Sequence, residues 1–130
     1  MNLEFFELKN GNYGFLDNKG DRAFEAEFQS VRPFGDNGLA SVKFPNGKWG
    51  YINEKGDKVI EAKFKDARTF YRGFASVTLD NGNHCYINEK GEQVFGREFK
   101  FAKSFFNSRT VVQLLDGRRA TIDSMDGEIF

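Results

Sequence analysis

His84 and Cys85 are the only histidine and the only cysteine in the chain, and an imidazole beside a thiol can generate a thiolate nucleophile. Their spacing argues against it. The surrounding residues alternate as a strand does, and adjacent strand side chains point to opposite faces. The imidazole could not then take the thiol proton. Nor could one His and one Cys on opposite faces supply the three or four ligands of a zinc site. Both residues also stand where Trp49 and Gly50 stand in another copy of the same segment, so the pair reads as drift at a structural position.

Carboxylates recur at turns: Asp17 and Asp21, Asp57, Glu89 and Glu92, Asp123 and Asp126. Asp17-Asn18-Lys19-Gly20-Asp21 faintly suggests a calcium loop, but it is too short. Lys19, Lys55 and Lys90 also put a cation in each equivalent loop. Turn chemistry accounts for Asp and Asn there. No glycine-rich loop opens a helix to cradle phosphate. The expectation is a chain with no catalytic residues, no cofactor and no metal.

Aromatic residues at regular positions, Trp49 and Tyr51 foremost, could form a ladder for sugars or unpaired bases. In a repeat, such positions serve more often as glue between neighbouring units. Charge disfavours nucleic acid: Lys plus Arg and Asp plus Glu balance at nineteen each, and the most basic cluster is only Arg118-Arg119. A membrane surface lacks its basic amphipathic stretch. Cys85 alone excludes an internal disulfide. The acidic start, Met1 to Glu7, does not resemble a signal peptide, so a cytoplasmic protein is expected.

Stepping from side chains to elements, the chain is an internal repeat. Asn46-Gly47-Lys48-Trp49-Gly50-Tyr51-Ile52-Asn53-Glu54-Lys55-Gly56 returns as Asn81-Gly82-Asn83-His84-Cys85-Tyr86-Ile87-Asn88-Glu89-Lys90-Gly91. An earlier copy runs from Asn10 to Gly20, and a worn one from Asp116 to Asp123. Each copy begins with an alternating run such as Leu39-Ala40-Ser41-Val42-Lys43-Phe44, the signature of a strand with one buried face. Asn-Gly or Asp-Gly follows, predicting a two-residue hairpin. A second strand, a Lys-Gly turn and a third strand complete a β-meander. On the second strand, Tyr13 and Phe15, Trp49 and Tyr51, His84 and Tyr86, and Arg119 and Thr121 share one face. Gly50 with Ile52 and Cys85 with Ile87 take the other.

Between meanders, apolar residues fall three apart: Phe28, Val31, Phe34; Phe64, Ala67, Phe70; Phe99, Ala102, Phe105. That period predicts 3₁₀ or irregular backbone pinned by Phe, with a short edge strand as the alternative. The four meanders span about 3–25, 38–61, 73–96 and 109–130, which reads as one complete four-unit domain over 1–130.

Lys48-Trp49-Gly50-Tyr51-Ile52-Asn53-Glu54-Lys55-Gly56-Asp57-Lys58-Val59-Ile60, with Gly38-Leu39-Ala40-Ser41-Val42 and Gly73-Phe74-Ala75-Ser76-Val77, resembles the WG-repeat (KWG-repeat) family of bacterial proteins. Only the second unit keeps the Trp-Gly pair; Tyr13-Gly14, His84-Cys85 and Arg119-Ala120 replace it elsewhere. The resemblance implies an all-β repeat scaffold with no catalytic residues to carry over.

The expected fold is all-β: four three-stranded antiparallel β-meander repeats packed as a short twisted solenoid, with a closed propeller-like or barrel-like array as the alternative. The expected function is non-enzymatic binding of a protein partner. A toxin-neutralising immunity protein and a carbohydrate-binding repeat are the alternatives. The aromatics Trp49 and Tyr51 are candidate binding residues. So are positions that break the repeat grammar: Tyr71, Arg72, Phe106, Arg109 and Arg119. The partner's identity and the oligomeric state stay open at this point.

Overall fold

At each Asn-Gly or Asp-Gly pair the chain reverses, but through three residues rather than the expected two. Leu8 N–H donates to the Asn12 carbonyl and Phe44 N–H to the Lys48 carbonyl, leaving three residues outside each ladder. Only the glycine takes a positive φ (Gly11 +88°, Gly47 +82°), the pattern of a type I turn closed by one left-handed residue. The preceding side chain explains the difference. Asn10, Asn46, Asn81 and Asp116 each accept the N–H two residues on, so the Asx turn holds them at negative φ.

The computed structural model describes residues 3–105, 107–125 and 127–130. Among these every regular element is a strand. β1 (Glu4–Glu7) and β2 (Tyr13–Leu16) form the first sheet. The second is β3 (Ser30–Val31), β4 (Ala40–Lys43), β5 (Trp49–Ile52) and β6 (Lys58–Phe64). The third is β7 (Asp66–Ala67), β8 (Ala75–Thr78), β9 (His84–Ile87) and β10 (Gln93–Phe99). The fourth is β11 (Phe101–Ala102), β12 (Arg109–Gln113) and β13 (Arg119–Asp123). All pairings are antiparallel.

The linkers supply the two-residue strands β3, β7 and β11, each paired with the following strand of its own sheet. The short-edge-strand alternative therefore describes them, and the complete second and third sheets have four strands instead of three. Their inward residues Val31, Ala67 and Ala102 are the middle members of the period-three sets. In the first unit the third segment is reduced to bridges, Leu16 to Arg22 and Tyr13 to Phe28.

Gly50 shows why a Trp-Gly pair suits the second sheet. The β5–β6 ladder slips between Trp49↔Phe64 and Tyr51↔Ile60, so β6 bulges over Gly50. A Cβ there would lie 2.6 Å from the Ile60 carbonyl oxygen and 2.9 Å from the Ala62 nitrogen. In the third sheet the bulge is built differently: Phe95 and Gly96 take φ of 67° and 61°, and buried Cys85 occupies the glycine's place.

A separate core fills each gap between successive sheets. The first holds Phe15, Phe28, Ala40, Val42 and Ile52. The second holds Tyr51, Phe64, Phe70, Val77, Cys85 and Ile87 among others. The third is built on Tyr86, Phe99, Phe105, Val112 and Ile122. Among the described residues no core cluster joins the first sheet to the fourth, so the array is an open stack and no barrel closes.

Candidate functional site

Every junction uses the same two faces. The outgoing face carries the second-strand aromatics; the incoming face of the next sheet carries small and aliphatic residues. Tyr51 Oη donates to the Arg68 carbonyl at 2.5 Å, and Tyr86 Oη repeats the bond with the Lys103 carbonyl at 2.5 Å. The ring of Tyr51 meets Phe70 at 4.8 Å, and Tyr86 meets Phe105 at the same distance. The linker phenylalanines are thus the partners of the second-strand tyrosines. Burial keeps both phenols protonated.

This placement corrects two candidate binding residues. Trp49 is 8% exposed and Tyr51 fully buried. Trp49 lies under the Arg32 guanidinium, 4.4 Å from its ring centroid, and the same guanidinium binds the Asp66 carboxylate at 2.8 Å and the Ala67 carbonyl. Neither ring is open to a ligand, because both fill the gap to the third sheet.

His84 and Cys85 do point to opposite faces. The Cys85 thiol is buried in the second core, and burial raises its pKa to about 11. His84 stands on the outgoing face, where its Nδ1 accepts the Ala102 N–H at 3.1 Å and faces an Arg68 nitrogen at 3.3 Å. Nδ1 is therefore unprotonated. Burial, and then the Arg68 charge, lower its pKa. Among the described residues no group of three or more His, Cys, Asp or Glu could hold a metal.

The grammar-breaking positions fall into two places. Tyr71 and Arg72 form the tight link between β7 and β8. Arg72 takes a φ of 50°, donates its N–H to Asp36 at 3.0 Å, and lies over the Tyr71 ring. Arg109 and Arg119 lie at opposite ends of the outgoing face of the fourth sheet. Their cross-strand partners are Asp123 and Gln113. Arg109 also stacks over Phe130, 4.3 Å from the ring centroid, and contacts Asp123 at 3.3 Å. Phe106 lies outside the described residues.

No sheet covers that fourth outgoing face among the described residues. In the second and third sheets its central residue is Ser41 or Ser76, both wholly buried. Val111 takes this position and is 45% exposed, next to Phe101 at 48%. With Lys103, Gln113 and Arg119 they border a depression of about 300 Å³. Sequence reasoning passed over Phe101 and Val111. The available signal was an apolar residue where two earlier copies carry serine.

The family model for WG containing repeats matches residues 13–49, 49–82 and 86–117. The chain belongs to the WG-containing repeat family. Comparison of this WG-repeat chain with curated protein sequences gives no match. Among solved structures it is similar to BamB from Moraxella catarrhalis, with a TM-score of 0.56 and 14% identity over 99% of this chain and 44% of that one. It is also similar to the WD40 beta propeller domain of Doa1, with a TM-score of 0.49, 12% identity and coverage of 99% and 49%. The WG-repeat chain thus spans less than half the length of either structure. At these identities the likeness concerns the fold alone.

Proposed function

We propose that this chain is a non-enzymatic binding module that captures another protein on the outgoing face of its fourth sheet. One observation carries the reading: a face buried in the two preceding sheets is here exposed, with Phe101 and Val111 at its centre and Arg109, Lys103 and Arg119 around them. An apolar centre within a charged rim is the anatomy of a protein interface. The non-enzymatic part draws support from Cys85, buried as a neutral thiol, and from His84, whose Nδ1 is engaged by the Ala102 amide. A carbohydrate ladder along the second strands would need Trp49 and Tyr51 in the open, and both are enclosed, Trp49 beneath Arg32.

Reversing Arg109 and Arg119 to glutamate leaves Lys103 against two carboxylates and so inverts the rim's charge, without substituting a buried residue. Affinity capture by the double variant from the native host should recover markedly less partner than the natural chain. Equal recovery would assign the binding to another surface.

A further inference from the structure

We infer that the two uncovered ends of the stack are complementary, and that the fourth sheet docks on the first sheet of a second copy of this chain. The inference rests on the binding face proposed above and names its occupant.

A knob-and-socket contact marks every internal junction. The residue seven positions after the Asn or Asp that opens the Lys-Gly turn sits against the turn glycine of the next sheet. A Cβ at Gly56 would lie 2.6 Å from the Phe24 ring, one at Gly91 2.9 Å from Ile60, and one at Gly127 2.6 Å from the Phe95 ring. Two members of this series are unmatched. Gly20, the first-sheet glycine, has nothing among the described residues within 4 Å of its Cβ position. The fourth turn is one residue longer, Asp123 N–H reaching Glu128 where Asn53 N–H reaches Asp57. Phe130, which pairs with Thr121 as Ile60 does with Tyr51, is 56% exposed. Among the described residues, one chain therefore carries an open socket at one end and a half-exposed knob, stacked under Arg109, at the other.

The surroundings match. Gly20 borders a depression of about 360 Å³, lined also by Glu4, Leu16, Asp17 and Asn18. Glu4 stands on the incoming face, at the register position of Ala40 and Ala75. The opposing end is basic, with Lys103, Arg109 and Arg119 exposed. Opposite charge also joins the second and third sheets, where Arg32, the counterpart of Lys103, reaches Asp66. Two copies, each docking its fourth sheet on the other's first, would form a closed array with no sheet face left over.

Sedimentation of the full chain across a range of concentrations should show reversible monomer–dimer exchange. Phe130→Asp blunts the knob and Glu4→Lys makes the socket repel its partner; both positions are exposed, and an unchanged unfolding temperature will show that each variant folds. Each substitution falls at both junctions of the pair, so a loss of about thirtyfold for each central anchor should weaken association by about a thousandfold. Mixed together, the two variants should associate more tightly than either does alone, since the mixed pair keeps one intact junction. A natural chain that is monomeric at every concentration, variants that associate like it, or a mixture with no gain would overturn the inference. Monomers that still lose partner capture on reversal of Arg109 and Arg119 would overturn only the second-copy assignment. Capture insensitive to those reversals would remove the binding face itself.

Discussion

Gly50 and His84 show how much one side chain decides in this repeat. The bulged β6 backbone leaves Gly50 no room for a methyl group, so Gly50→Ala forces the strand to move. Overpacking of this kind costs roughly 1–3 kcal/mol, and denaturant unfolding should register it as a lower midpoint. Gly47, with nothing among the described residues within 4 Å of its Cβ position, would respond through its positive φ alone. His84 predicts a pH response. Its pKa lies below the ordinary 6.5 in the fold, whereas the unfolded chain takes up the proton near that value. Stability is therefore complete above about pH 6.5 and declines as the pH falls below it. Groups facing the ring are Arg68, Thr78, the Ala102 amide, Asp66 and the Phe101 ring. His84→Asn keeps an acceptor but removes the titration, so its melting temperature should fall less between pH 7.5 and pH 5.5 than that of the natural chain. Glu27 and Glu98, whose pKa values are lowered by their asparagine partners, respond only in the carboxylate range.

At the scale of elements, strands and reversals were legible because their causes are local. Alternation set the faces of β5 and β9, and the turn residues set the reversals around Asn46 and Asn81. The number of residues in each reversal was not legible. It depends on whether the asparagine backbone goes left-handed or its side chain accepts the amide two residues on, and the dipeptide permits both. The strand character of the linkers was hidden by their length: two residues cannot display alternation. Burial of Val31, Ala67 and Ala102 against the preceding sheet gives the same period as a 3₁₀ turn. Trp49 and Tyr51 were ambiguous for a related reason. A ladder for ligands and a seam between sheets demand the same spacing, and only packing separates them. The seam makes its own prediction. Tyr51→Phe and Tyr86→Phe keep the ring contacts but strip the Arg68 and Lys103 carbonyls of their donors. Each should cost about 1 kcal/mol in chemical denaturation, and the two losses should add, since they lie in different gaps.

At the scale of the molecule, the described residues form three cores in series between four sheets, in place of the single centre of an ordinary domain. The second and third sheets are sandwiched on both sides; the first and fourth are covered on one. Ser41 marks a local imperfection in this plan. Its buried hydroxyl has no partner among the described residues, whereas Ser76 donates to the Ala102 carbonyl at 2.7 Å; at Ser41 the equivalent carbonyl, of Ala67, is held by Arg32. The open ends were not legible in the repeat pattern, because each unit looks self-sufficient until its junction contacts are known. Once they are, the unmatched Gly20 and Phe130 identify where an additional sheet would fit.

Serial cores also decide how such a chain comes apart. Thermal motion that peels away an outer sheet sacrifices one gap and leaves two untouched, so opening proceeds from the extremities inward and need not be all-or-none. Shielding an extremity removes the easiest starting point for that unravelling, so any partner seated there would steady the far gaps as well as the near one.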